Sequence, residues 1–89
     1  MVALAPDGAN WRDLGVALER AGDPEGALEA WDRATAADPE EVLALTYAAR
    51  LHAAAGRREP ALAALREALR RDPKHPTARR MLLQLRGGG

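Results

Sequence analysis

The chain has 89 residues and a formal net charge of zero, which fits one small domain with a modest core. It contains no Cys and no Ser, so disulfides, thiolate metal sites and Ser or Cys nucleophiles are excluded. No apolar run is long enough to span a membrane, and residues 1–6 lack the basic start and apolar stretch of a signal peptide. We expect a cytoplasmic protein, and the frequent Ala and Arg fit a GC-rich, bacterial genome.

Five helices are predicted in chain order, at about residues 8–21, 24–37, 40–55, 58–71 and 75–86. In the first of them, Trp11, Leu14, Gly15 and Leu18 have the i, i+3, i+4, i+7 spacing of a single helical face. A glycine costs about 1 kcal/mol relative to alanine inside a helix. Gly15 therefore predicts a compensating close approach of the second helix.

The predicted helix ends carry standard capping signals. Gly22 and Gly56 each follow a run of helix formers and suit the left-handed stop of a helix. Asp23 precedes a proline and is predicted to cap the second helix. Asp38 is predicted to cap the third helix in the same way, with Glu41 completing a capping box.

Two stretches of the chain repeat each other at a constant spacing. The matching pairs include Ala21-Gly22 with Ala55-Gly56, Ala27-Leu28 with Ala61-Leu62, and Asp38-Pro39 with Asp72-Pro73, and the spacing is the same in all three. A fixed period of this size predicts a helix-turn-helix unit stacked into a solenoid. Such units bury their apolar faces only against each other.

The first unit resembles a tetratricopeptide repeat in the order of its apolar and small residues, Trp11, Leu14-Gly15, Leu18, Ala27, Trp31, Ala34 and Pro39. The second unit fills the pattern less fully, since His52 stands where the family has a large apolar residue. The resemblance implies an all-α, right-handed solenoid of about five antiparallel helices. Its implied parts are an N-terminal arm (1–7), two repeats (8–41 and 42–75), a capping helix (76–86) and a flexible tail (87–89).

The capping helix is inferred from a departure from the family pattern. Arg79 and Arg86 occupy slots that are apolar in an internal repeat, as expected for a terminal helix that faces solvent. The chain is expected to be free-standing, an oligomer or a piece of a longer array, because stable stacks usually need about three repeats.

The resemblance also implies a groove lined by the first helix of each repeat. The implied lining comprises Ala9, Arg12, Asp13, Val16, Arg20, Leu43, Thr46, Tyr47, Arg50, Thr77, Arg80, Met81 and Gln84. The residues predicted to contact a partner are Arg12, Val16, Tyr47, Arg50, Arg80 and Met81. Their chemistry suits a protein or peptide with an apolar anchor and flanking acidic groups. In an alternative interpretation, Leu43 and Met81 belong to the core and only Tyr47 is exposed.

One known mode of the family is not expected here. Members that bind chaperone tails hold a C-terminal carboxylate with Lys and Asn on the first helix, Asn on the third, and Lys and Arg on the fifth. The matching positions are Arg12, Val16, Tyr47, Thr77 and Met81, and only Arg12 is chemically comparable.

Charge is distributed unevenly along the chain. Residues 1–41 hold ten acids and three bases, whereas residues 42–89 hold three acids and ten bases. Equivalent positions reverse sign between repeats, as in Asp23 and Arg57 or Asp32 and Arg66. One interpretation is ion pairing between neighbouring repeats. The other is head-to-tail association of copies, with the acidic first repeat of one against the basic last helix of the next.

Catalytic, metal and nucleic-acid functions are disfavoured. His52 and His75 lack acid–base partners at a useful spacing, so His52 is expected to pack between helices and His75 to be a solvated turn residue. No metal or cofactor site is expected, since Asp38 and its neighbouring glutamates are explained by helix capping. No aromatic is interleaved among the arginines to stack bases. We predict a non-catalytic protein-interaction scaffold, with self-assembly (a homo-oligomer) as the alternative.

Overall fold

The computed structural model describes residues 8–87, and side chains from residue 10 onward. In that range the chain is all-α, which confirms the predicted fold class. The helices are α1 (Gly8–Arg20), α2 (Pro24–Ala37), α3 (Leu43–Ala54), α4 (Arg58–Arg71) and α5 (Pro76–Gly87). The predicted arm (1–7), the side chain of Ala9 and the last two glycines lie outside the described residues.

The helices form a row of neighbours in chain order. The most extensive contacts are those of α1 with α2 and of α3 with α4, and each of these pairs is one repeat. Helices α2 with α3 and α4 with α5 join the units, and α3 also touches α5. Short connections make consecutive helices pack antiparallel.

The core consists of two clusters, each centred on one repeat and completed by a residue of the helix that follows it. The first contains Ala27, Trp31, Ala34 and Ala44. The second contains Val42, Ala49, Ala61, Leu65, Ala68 and Ala78. The largest fully buried side chains are Trp31 and Leu65, which occupy equivalent positions in the two repeats. Each repeat is therefore built around one large side chain, with alanines that let the helices approach.

Gly15 permits the close approach of α2, as predicted. A Cβ built on Gly15 would lie 2.5 Å from Cδ1 and 2.8 Å from Cε2 of Trp31, well inside ordinary carbon contact. The indole Nε1–H of Trp31 donates to the carbonyl of Arg12 at 3.1 Å. In the second repeat the equivalent pair is Ala49 and Leu65. Leucine is smaller than the tryptophan of the first repeat, and the facing helix there carries an alanine in place of the glycine.

The predicted signals at the end of α1, the start of α2 and the end of α3 are confirmed. Gly22 and Gly56 have φ angles of 86° and 79°, in the left-handed region that favours glycine. Asp23 caps α2, because its Oδ1 accepts a hydrogen bond from the backbone N–H of Gly26 at 3.0 Å.

The predicted start of α3 is wrong. The helix begins at Leu43 rather than at residue 40, and Asp38 does not cap it. The Asp38 carboxylate instead accepts the backbone N–H of Glu40 at 2.9 Å in a tight turn that follows α2. Glu41 provides the cap by itself, since its Oε2 accepts the backbone N–H of Ala44 at 3.1 Å. No capping box forms.

The same turn recurs in the second repeat. Asp72 accepts the backbone N–H of Lys74 at 3.3 Å, and Nδ1 of His75 accepts the backbone N–H of Ala78 at 3.2 Å. His75 was expected to be a solvated turn residue, and this expectation is wrong: its ring caps α5. The acceptor nitrogen of His75 thus replaces the carboxylate of Glu41, its equivalent in the preceding repeat.

Candidate partner-binding groove

Val16 of α1 and Tyr47 of α3 are anchored on the core of the first repeat. Both are half-buried and pack against the first cluster. The Tyr47 ring lies 5.7 Å from that of Trp31, tilted by 52°. An aromatic pair with this geometry is attractive beyond its buried area. Tyr47 is therefore held in place while part of its ring stays accessible.

Arg12 is held at the joint between α1 and α3. Its Nη1 lies 2.8 Å from Oε1 of Glu41, a side chain that is only 5 % exposed. The other oxygen of Glu41 accepts the Ala44 amide, so one carboxylate links Arg12 to the start of α3. Asp13 approaches the same guanidinium at 3.8 Å. Arg12 thus already has a carboxylate partner within the chain.

Arg50 is fixed by a two-pronged ion pair. Its Nη1 and Nη2 donate to the two carboxylate oxygens of Glu19 at 3.1 and 2.9 Å. The Arg50 side chain remains 54 % exposed. A guanidinium has five N–H donors, so Arg50 keeps donors that Glu19 does not use. The pair connects α1 to α3 and orients Arg50 on the surface.

The two candidates on α5 differ in accessibility. Met81 is half-buried and packs against the second cluster, whereas Arg80 is exposed and forms no ion pair with another described residue. Leu43 is 39 % exposed. The alternative interpretation, in which Leu43 and Met81 are both core residues, therefore fits Met81 and not Leu43.

The predicted lining residues border separate pockets. Arg12 and Leu43 border a pocket of about 380 Å³ together with Glu41, Arg71 and His75. Arg80 and Gln84 border another, of about 490 Å³, on the outer side of α5. Tyr47 and Arg50 lie between them in the chain, on α3. The structure thus places the candidates along three helices rather than around one cavity.

A family model described as tetratricopeptide repeat matches residues 12–76 and 48–85, which together span most of the chain. The chain belongs to the tetratricopeptide repeat family. Proteins of this family generally mediate protein–protein interaction. A search of curated proteins finds no match.

Arg71 links the two tetratricopeptide repeats by hydrogen bonds, and it was not among the predicted site residues. Its Nη1 donates to the carbonyl of Thr35 at 2.9 Å, near the end of α2, and its Nε donates to Glu67 at 2.7 Å. Hydrogen bonds from Arg70 and then Arg71 lower the pKa of Glu67 to about 2. Glu67 is therefore ionised at neutral pH and keeps Arg71 aimed at the first repeat.

Ion pairs between the repeats account for part of the uneven charge. Arg57 of the second repeat lies 3.2 Å from Glu25 of the first, and Arg50 pairs with Glu19 across the same joint. Of the sign-reversed positions, Arg57 thus finds an acid of the first repeat, but this acid is Glu25 and not its equivalent Asp23. Asp32 and Arg66 form no ion pair with any described residue. Glu19 and Glu41 position the groove arginines, yet neither was among the predicted site residues.

His52 lies at the joint in a partly dehydrated setting. Its Nδ1 is buried and has no hydrogen-bond partner among the described residues. Burial, with a smaller contribution from the positive charge of Arg57, lowers the pKa of His52, and Glu25 opposes the shift. The burial of Nδ1 and the influence of Glu25, a residue of α2, agree with the expectation that His52 packs between helices.

The described residues show neither a metal site nor a membrane-spanning helix. Residues 8–87 contain no group of three His, Asp or Glu side chains that could hold a metal ion. None of the five helices is both long and apolar enough to cross a membrane.

Proposed function

We propose that the chain is a non-catalytic scaffold that binds a segment of a partner protein along the first helices of its repeats. The main support is that Tyr47 and Arg50 lie one turn apart on α3 and that each is held by another residue. Tyr47 rests on Trp31, and Arg50, one turn later, is oriented by Glu19. A fixed aromatic beside a fixed guanidinium can receive an apolar side chain and a carboxylate with little loss of side-chain entropy on binding.

The three groove arginines have different roles in this proposal. Arg12 is paired with Glu41, which is nearly buried, so the role of Arg12 is to position α3 and not to bind the partner. Arg50 has unused donors, and Arg80 is exposed without an ion-pair partner among the described residues. A partner carboxylate would therefore bind at Arg50 or Arg80, with the apolar anchor against Tyr47, Val16 or Met81. No cofactor or metal is required.

The test is selection of peptides from a random library on the immobilised protein, followed by affinity measurements on variants. Arg50→Ala is expected to weaken binding about tenfold, equivalent to about 1.4 kcal/mol. Tyr47→Phe keeps the packing on Trp31 and removes only the hydroxyl, which hydrogen-bonds to no other described residue. It should change affinity for those peptides that use the hydroxyl.

Arg66→Ala is the matched control, because Arg66 is an exposed arginine on α4, the second helix of its repeat, and has no ion-pair partner within residues 8–87. Binding that is unaffected by Arg50→Ala and lost in Arg66→Ala would place the partner on the opposite helices and contradict the proposal. Circular dichroism of each variant confirms that the fold is intact.

Association of copies is the second candidate function. It is favoured by α5, which carries Arg79, Arg80 and Arg86 and no acid. The surfaces that could form such a contact lie at the two ends of the row of helices and are described below.

A further inference from the structure

The first repeat ends the row of helices with an open hollow, which we call the head surface. Its lining residues are Trp11, Leu14, Leu18, Gly26, Glu29, Ala30 and Arg33, and its volume is about 450 Å³. Leu14 is 43 % exposed in this hollow, whereas its equivalent in the second repeat, Ala48, is half-buried.

The other end of the row presents a protruding apolar side chain, which forms the tail surface with its two neighbours. Leu83 is 65 % exposed on α5, and Arg79 and Arg86 flank it at i−4 and i+3 on the same face. Leu83 is the equivalent of Gly15 and Ala49, the small residues that admit the second helix of each repeat. A further helix therefore could not pack on α5 as closely as α2 packs on α1.

Each surface offers an exposed leucine, and the two differ in charge. The head surface carries Leu14, and the tail surface carries Leu83 between two arginines. Residues 1–41 hold ten acids against three bases, while α5 holds three bases and no acid. At the hollow itself, Glu29 is 67 % exposed, and the exposed Asp23 accepts a hydrogen bond from Gly26, one of the lining residues.

One cation in the hollow opposes this attraction and is locally balanced. Arg33 lies 3.2 Å from Glu29, and its guanidinium carbon is 5.3 Å from the centre of the Trp11 ring. The ion pair offsets the charge, and the indole face is a favourable site for it. With Arg33 paired to Glu29, the exposed carboxylate of Asp23 next to Gly26 leaves an acidic excess at the hollow.

We propose that copies of this chain associate head to tail, with Leu83 of one copy in the head surface of the next. Arg79 and Arg86 then face the acidic residues beside the hollow. A contact between two different surfaces leaves one head and one tail free, so it can continue into longer assemblies or close into a ring. Because it involves neither Tyr47 nor Arg50, its failure would leave the groove proposal untouched.

The experiment blocks each surface separately. Leu83→Glu blocks the tail, and Leu14→Glu blocks the head; both side chains are substantially exposed, so the fold should tolerate the change. Sedimentation equilibrium at low salt should show the unmodified chain rising with concentration above its monomer mass of 9.5 kDa. Each variant alone should stay monomeric, and an equimolar mixture should reach the dimer mass and stop there.

The mixture distinguishes this contact from the alternatives. One free head and one free tail remain between the two variants, so only a head-to-tail contact gives a limited dimer. If Leu14→Glu unfolds the chain, Glu29→Arg serves as a second head variant on an exposed side chain. An unmodified chain that stays monomeric at every concentration overturns the proposal, and the hollow would then belong to residues 1–7 or to another protein. Self-association that persists in Leu14→Glu but not in Leu83→Glu would show a tail-to-tail dimer and overturn it as well.

Discussion

Replacing Gly15 with alanine tests whether the spacing between α1 and α2 is set by the Trp31 ring. The new Cβ would lie 2.5 Å from Cδ1 of Trp31, whereas carbon atoms pack at about 3.5–4.0 Å, so the ring or the helix must shift by about 1 Å. Trp31 is only 1 % exposed and its Nε1–H is hydrogen-bonded to the carbonyl of Arg12, so it cannot turn outward without losing that bond.

The expected net effect of Gly15→Ala is a loss of about 1–3 kcal/mol in the free energy of unfolding. Overpacking costs about 1–3 kcal/mol, and a weakened hydrogen bond adds about 0.5–1.5 kcal/mol. The gain in helix propensity offsets about 1 kcal/mol of this. Urea titration followed by far-ultraviolet circular dichroism measures the difference.

Two further variants make the test independent of propensity. Ala17→Gly, at an exposed position of the same helix, should cost about 1 kcal/mol through propensity alone. Trp31→Leu recreates the pairing seen at Ala49 and Leu65, so Gly15→Ala should become neutral or stabilising in that background. If Gly15→Ala stabilises the unmodified chain, the close contact does not constrain the helices and the reasoning is refuted.

Three other predictions concern the joint between the repeats. Glu41→Ala should cost about 1–3 kcal/mol, because it removes the nearer carboxylate partner of Arg12 and leaves α3 uncapped. Glu41→Gln keeps an acceptor and should cost less, and equal losses would contradict the capping role. Lowering the pH below 6.5, the ordinary pKa of histidine, should reduce the free energy of unfolding, because the pKa of His52 is lower in the fold and only the unfolded chain then takes up the proton. The loss should level off below the folded-state pKa. In a His75→Gln background, His52→Leu should reduce this dependence on pH, and an unchanged slope would contradict the prediction. Arg71→Lys should destabilise the chain by about 1 kcal/mol, since a lysine cannot hold two acceptors in the same fork; an unchanged urea midpoint would show that the bridge contributes nothing.

The helices and their close packing could be predicted because their signals are local or recur with the repeat. Gly22 and Gly56 mark two stops through a backbone conformation that few other residues adopt. Gly15 announces a close contact because a helix rarely carries a glycine without a packing reason. The constant period of the repeat then fixes which positions are equivalent.

The start of α3 could not be predicted because an aspartate before a proline has two uses. Asp38 can cap a helix or close a turn with its own carboxylate, and the local sequence is the same in both cases. The capping roles of Glu41 and His75 become evident only when the turn is known. Their equivalence between the repeats was available as a signal, but glutamate and histidine are not residues usually sought at a cap.

The sequence predicted the positions of the groove residues but not the side chains that pair with them within the chain. The resemblance placed Arg12 and Arg50 on the groove, and the sign reversals indicated pairing between repeats. That Glu41 and Glu19 would bind these two arginines depends on how the helices are spaced. The periodicity of the sequence does not give the distance between the helices that bear these charges.

The most direct test of the interaction-scaffold account is to map a selected peptide onto the protein by amide chemical shifts. The account predicts that the largest shifts fall on α1 and α3 around Val16, Tyr47 and Arg50, and that Arg50→Ala requires about tenfold more peptide to produce them. Shifts confined to α2 and α4, or to Arg79, Leu83 and Arg86 on α5, would show that the peptide binds elsewhere and would contradict the groove as the binding surface.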